Sequence, residues 1–289
     1  MLFSRYSNAN GSWIIVNMPN NDTGQVVLSA AEVYEEFFVP ALFGQWTARV
    51  LDAAGIAQGH NVLDVGCGTG VLARTAIGRV GQAGRVVGVD PNQAMLSIAR
   101  RSEAGIQWKA GVAEALPFEN ATFDRVVSQF AMMFFTDREG ALSEFARVLA
   151  LGGTVAIATW ASLDETPGYA TMVELLRDLF GDDYAEALKA PFVLGEVDTV
   201  HALMAPYFSD VRVVRHDGVA RFESIEAWVH TEIRGWTLAD RIDDRQYSSL
   251  LDRAQRALAR FEDEAGRVTF PASALIATGT SWHEEAPQR

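Results

Sequence analysis

The chain of 289 residues carries 37 acidic against 24 basic side chains, a net charge of −13 at pH 7, and is 49% hydrophobic. That is ample apolar material for a sizeable core, and the length suits one or two domains of about 100–200 residues each. The acidic balance argues against nucleic acid and anionic membrane surfaces as partners, because both are gripped mainly by Lys and Arg. A lone cysteine, Cys67, can form neither an internal disulfide nor a multi-thiolate metal site, and no metal is expected. The longest apolar run near the start, Trp13 to Val16, is too short for a signal h-region or a membrane span. A cytoplasmic location is the default expectation.

No Pro/Gly/Ser-rich linker, internal repeat or low-complexity tract divides the chain. The expected organisation is a flexible, Asn-rich lead-in over 1–26, in which Trp13 and Ile14 supply what order there is, and a single domain over 27–289. Within that domain the cofactor half runs over about 55–160, with lid elements at about 27–54, 161–208 and 222–264.

Apolar residues Val33, Phe37, Phe38, Leu42, Trp46, Val50 and Leu51 recur mostly at three and four, predicting helix over 30–54 with a break into two at Pro40. The period then shortens. Strands are predicted at 61–65, 85–89, 105–109, 124–129 and 154–160, and helices at 71–80, 92–102 and 137–150. Thr136 and Glu139 stand at capping-box spacing before the last of these helices. Repeated β-α-β implies an α/β fold with a parallel sheet and helices on both faces. Beyond Trp160, helix is predicted over 167–206 with a break near Ala190-Pro191. Then follow a strand at 211–216, helix over 224–262, and a last strand at 268–278 whose Pro271 marks an edge or a bulge.

The first strand runs into Gly66-Cys67-Gly68-Thr69-Gly70, at the carboxyl end where such sheets bind ligands. Glycines there let the backbone turn tightly and approach a ligand, and the next helix offers free N–H groups. A dinucleotide fingerprint would place its third glycine at position 71, which is Val71. Asp90-Pro91 closes the second strand. An acid at that point can accept hydrogen bonds from both ribose hydroxyls, and Asp-Pro is also a good helix start. Asp64, inside the first strand end, either orients the loop, reaches a cofactor ammonium through water, or is purely structural.

Four stretches, VLDVGCGTG (62–70), VVGVDPNQAML (86–96), GVAEALPFENATFDRVVS (111–128) and EFARVLALGG (144–153), resemble in order and spacing the class I S-adenosylmethionine-dependent methyltransferases of the ubiquinone/menaquinone-biosynthesis type. The resemblance implies a doubly wound, seven-stranded, mostly parallel sheet of order 3-2-1-4-5-7-6 with strand 7 antiparallel, and helical lid insertions. It implies S-adenosylmethionine as cofactor and S-adenosylhomocysteine as product. Gly66, Gly68 and Gly70, with Cys67 between them, would line the methionine end. Asp90 and Pro91 would stand at the ribose and Met95 by the adenine, whose edge Val112, Ala113 and Glu114 would frame. Gln129 and Phe130 would neighbour cofactor or acceptor, and Tyr34 would cover the methionine end. Two positions depart from the family pattern. Val112 replaces an aspartate that accepts the adenine amino group, and Leu151 replaces a proline before the double glycine.

Methyl transfer needs mainly alignment and exclusion of water. His230, in a helical stretch of the lid, is the candidate general base, with packing or solvent exposure as the alternative. Phe38, Met133, Phe134 and Trp228 are the candidate acceptor contacts, with core packing as the alternative. The lid aromatics, Trp236 among them, suit a small hydrophobic acceptor. The expected partner is therefore a small molecule, and the expected assembly is a monomer or homodimer. A cofactor-binding regulator or cyclase, a protein methyltransferase and a nicotinamide-dependent oxidoreductase are the competing readings.

Overall fold

The computed structural model describes backbone and side chains at residues 30–234, 238 and 241–282, and backbone alone at 3–7, 13–17 and 28–29. Strands β1 (Phe3–Ser7) and β2 (Trp13–Asn17) pair antiparallel. The side chains of Trp13, Trp236 and His283 lie outside the described residues.

A helical path follows from α1 (Leu28–Val33) through a π-helical stretch, Tyr34–Phe43, and a 3₁₀ turn, Gly44–Trp46, into α2 (Thr47–Ala53). The break expected at Pro40 does not occur. The ring sits inside the widened coil, where Gly44 donates its N–H to the Val39 carbonyl five residues back. Widening accommodates a residue that has no N–H and crowds the preceding turn.

The central sheet is built from β3 (Asn61–Val65), β4 (Arg85–Asp90), β5 (Gln107–Ala110), β6 (Phe123–Gln129), β7 (Leu149–Trp160), β8 (Ser209–His216) and β11 (Ala274–Thr280). Its order is β5-β4-β3-β6-β7-β11-β8. Numbered within the sheet, that is 3-2-1-4-5-7-6, and the last strand runs antiparallel to both neighbours. Strands β3, β4 and β7 are largely apolar because helices cover both faces. Helices α3 (Val71–Val80), α4 (Gln93–Ser102) and α5 (Arg138–Val148) make the crossovers. Their caps differ from the sequence reading. Asn92, rather than Asp90, caps α4, its side chain accepting from the amides of Ala94 and Met95. Asp137, rather than Thr136, caps α5.

Beyond β7 the chain adds α6 (Pro167–Phe180), α7 (Asp182–Lys189), α8 (Val197–Met204), α9 (Ile225–Arg234) and α10 (Asp244–Ala257), where the lid was expected. The single strand expected at 268–278 is two. β10 (Val268–Pro271) pairs with β9 (Val219–Phe222) in a ribbon of its own, and the chain then turns before β11 enters the sheet. Pro271 ends β10, where its missing donor disturbs no ladder. No described helix is long and apolar enough to cross a membrane.

Candidate active site

The strand order reverses between β3 and β6, and a cavity of about 300 Å³ opens at the carboxyl ends of the strands there. Its wall holds Tyr34, Asp64, Gly66, Cys67, Gly68, Asp90, Pro91, Met95, Val112, Ala113, Glu114, Gln129 and Phe130, so thirteen of the fourteen expected cofactor contacts are brought together. Gly70 is the exception and does not line it. A side chain at Gly70 would overlap the Trp108 indole, so packing fixes that glycine. Gly66 is pressed against Ala131 in the same way, although it also reaches the wall. At Gly68, φ is +53° and an added Cβ would meet nothing within 4 Å. This is the bare position that opens on the cavity.

The loop's amides are mostly spent on the protein. Gly66 and Cys67 donate to the Val89 carbonyl at 2.8 and 3.0 Å, and Gly70 donates to the Cys67 carbonyl at 2.8 Å. Gly68 donates to Asp90 Oδ2 at 2.9 Å. The amides of Thr69, Val71 and Leu72, all at the cavity wall, have no acceptor among the described residues. These are the free N–H groups at the start of α3, which suit an anionic group. The wall residues missed by sequence reading are Thr69, Val71, Leu72, Asn92, Gly111, Ala131, Phe135 and Thr136. For Val71 and Leu72 a signal existed, since they are the first residues of the helix after the loop.

Asp90 joins the two halves of the site. One oxygen holds Gly68 and the other accepts the Asn92 amide at 2.8 Å. A carboxylate oxygen has a second lone pair to offer. Burial pushes Asp90 up to about 6, against the lowering effect of those two amides. Asp64 accepts the Ala73 amide at 3.1 Å, so it orients α3, and burial pushes its carboxyl up to about 8. Glu114 accepts the amides of Thr136 and Asp137 at 2.9 and 3.2 Å. Val112 is 45% exposed and contributes no polar side chain. Arg74 ties the cover to the loop, reaching Glu35 at 2.6 Å and the Thr69 carbonyl at 2.5 Å. Buried polar atoms are also left open on the wall: Gln129 Oε1 and Thr69 Oγ1 have no hydrogen-bond partner.

Phe130 follows β6 with φ +54°, an uncommon conformation for a bulky residue, and stacks on Trp160 with ring centres 3.8 Å apart. Such backbone strain costs on the order of 1–3 kcal/mol and clusters at functional sites. Phe130 and Phe134 form the boundary with a second, smaller cavity of about 30 Å³, which Phe38, Trp160, Thr166, Tyr169, Phe192 and Glu232 also line.

Of the expected acceptor contacts, Phe38 and Phe134 face this second cavity. Met133 is buried in the core behind it and lines neither cavity. Trp228 is also core, fully buried and packed between Phe222 and Phe270. His230 stands on the exposed side of α9, edge-on to Phe37, and lines neither cavity. The geometry gives it no role as a base. The helical period turns the next-but-one residue, Glu232, inward instead. Among the described residues no group of three or more His, Cys, Asp or Glu is arranged to hold a metal.

Residues 62–153 match the methyltransferase domain family model. The chain is similar to the ubiquinone/menaquinone biosynthesis C-methyltransferase UbiE of Idiomarina loihiensis, 34% identical over 47% of this chain and 57% of that protein. It is similar also to the 2-phytyl-1,4-naphtoquinone methyltransferase of Thermosynechococcus vestitus, 41% identical over 39% of this chain and 51% of that one. It thus spans little more than half the length of these curated relatives. In solved structures the fold resembles phosphoethanolamine N-methyltransferase 2 of Haemonchus contortus, with a TM-score of 0.57, 18% identity, and 89% of this chain and 58% of that one covered. Over residues 62–153, from β3 to the start of β7, the chain is thus similar to the methyltransferase domain family, and its sheet order is that of the solved structure it resembles.

Proposed function

We propose that the chain binds S-adenosylmethionine in the 300 Å³ cavity and transfers its methyl group to a small, largely apolar acceptor held across Phe130 and Phe134. The observation that carries this is the acidic wall, which has Asp64, Asp90 and Glu114 and, among the described residues, no Lys or Arg. A dinucleotide brings a doubly negative pyrophosphate, for which the described wall offers no cationic side chain. S-adenosylmethionine brings a sulfonium, an ammonium and a single carboxylate, and its hydrogen-bond donors outnumber its anionic groups.

The residues fit that molecule. The free amides of Thr69, Val71 and Leu72 suit its carboxylate, and the spare lone pairs of Asp90 suit ribose hydroxyls. Gln129 Oε1 and Asp64 offer acceptors to an ammonium. Exposed Val112 and buried Met95 give an apolar slot for adenine. When bound, the cofactor supplies a methyl group already activated on a sulfonium. The chain's own work is to orient and to exclude water: the π-helical cover, held to the loop by Arg74, closes one side, and the Phe130–Trp160 stack forms the wall between donor and acceptor. The relatives' names point to quinone-like acceptors, which suits an aromatic second cavity.

The test is transfer of isotopically labelled methyl from S-adenosylmethionine to a panel of phenols, hydroquinones and naphthols. The expected result is labelled organic product with stoichiometric S-adenosylhomocysteine. Tight cofactor binding with no transfer to any acceptor would instead favour a binding protein.

A further inference from the structure

The second cavity is aromatic on most sides, yet two buried polar side chains, Glu232 and Thr166, face it. Glu232, on α9, is 3% exposed. Its Oε2 accepts the Tyr169 hydroxyl from α6 at 2.9 Å, and the Trp228 side chain stands close enough to lower its carboxyl as well, against the raising effect of burial. Thr166, just before α6, is 1% exposed and its hydroxyl has no partner. A carboxyl group buried among aromatic rings is costly, and so is a buried hydroxyl with no partner. Replacing either with an apolar residue would relieve the cost if packing were the purpose. The Arg and Lys side chains that would normally pair such a carboxylate are missing from the cavity wall.

We propose that Glu232 is the specificity-determining anchor of the acceptor, accepting a hydrogen bond from a hydroxyl on its aromatic ring, with Thr166 as second polar contact and Tyr169 as the residue that holds the carboxylate in place. The acceptor class is then a phenol or hydroquinone rather than a plain hydrocarbon. This rests on the function proposed above for the adjoining cavities. A charge-assisted hydrogen bond in a water-poor pocket discriminates strongly, because an analogue lacking the hydroxyl leaves the carboxylate unpaired. At about 30 Å³ the cavity holds little more than water at rest, so a ring enters as its wall opens. Pro191 and Phe192, in a 3₁₀ turn and only half-buried, are the part of the wall nearest solvent.

The test uses p-cresol against toluene, rings of the same size that differ in a hydroxyl, with binding measured by ligand-observed NMR with and without S-adenosylhomocysteine. The wild-type chain is expected to prefer p-cresol by tenfold or more. Glu232→Gln should bring that preference down to about threefold or less while leaving toluene and S-adenosylhomocysteine affinities unchanged. Glu232→Met, which fills the same space, should act likewise if the glutamine variant misfolds. Tyr169→Phe removes the hydroxyl that holds the carboxylate and should weaken the preference without abolishing it. Equal loss of both probes in Glu232→Gln, an intact preference in that variant, or no binding of either probe to wild type would overturn the proposal. Failure of S-adenosylhomocysteine to bind wild type would instead sink the function on which it rests, and the two failures are read in separate titrations.

Discussion

Gly66, Gly68 and Gly70 look alike in the sequence and serve different ends. Gly66 and Gly70 are fixed by Ala131 and Trp108, whereas Gly68 combines a left-handed backbone with open space at the cavity. Gly68→Ala should therefore cost about 1 kcal/mol of stability from the left-handed backbone, a fall in Tm of a few degrees, while weakening cofactor binding at least tenfold. Gly70→Ala adds overpacking against the indole, on the order of 1–3 kcal/mol. Its Tm should fall further, with cofactor affinity affected only through the fold. Thermal denaturation and calorimetry on the two variants separate these outcomes, and equal effects on both quantities would contradict the distinction. The loop's place was legible from the motif. Which amides remain free was not, because Val89 and Asp90 claim several of them from a different strand.

The helix α9 shows what an element decides that a residue type cannot. A histidine attracts attention because its usual pKa lies near neutrality, but the period places His230 outside and Glu232 inside. Burial then pushes the Glu232 carboxyl up to about 7 and holds the Tyr169 hydroxyl well above its usual range. His230→Ala is expected to leave methyl transfer within about twofold of wild type, and a hundredfold loss would restore the histidine as a base. The elements of the sheet half were legible because each strand is a short apolar run bounded by Gly, Pro or Asp. The caps were misread by one or two residues, since Asn92 and Asp137 compete with equally good neighbours. The cover was legible as helix but not as one continuous π-helical path: Pro40 signals a break, whereas Phe38, Leu42 and Phe43 pack into the core on both sides of it.

Over the whole molecule, three buried carboxyls, Asp64, Asp90 and Glu232, are raised to about 8, 6 and 7. A carboxyl raised in the folded state binds its proton more tightly than the unfolded chain does. Its contribution to stability is complete below pH 4 and is lost as pH rises through the folded value. The ligand-free chain should therefore lose stability between about pH 5 and pH 8, by some degrees in Tm. Glu144, lowered first by its hydrogen bond to Arg147, works in the opposite direction only at acid pH. Tm measured across that range checks this, and a rising Tm from pH 5 to 8 would contradict it. The lid's share of the molecule was the least legible, because its site is assembled from segments distant in sequence. Tyr169 meets Glu232 across 63 positions and Phe130 meets Trp160 through the sheet. Sequence periodicity locates the helices but not these encounters.

The central claim is that an acid-walled cavity at the switch point takes a sulfonium nucleoside rather than a dinucleotide, with Asp90 as a direct contact. Calorimetric titration of S-adenosylhomocysteine into wild type and Asp90→Ala, with NADH in parallel, tests it. The account predicts one site per chain, at least tenfold weaker binding in the variant, about 1.4 kcal/mol, and no heat from NADH. Unchanged affinity in Asp90→Ala, or NADH binding in place of the nucleoside, would contradict it.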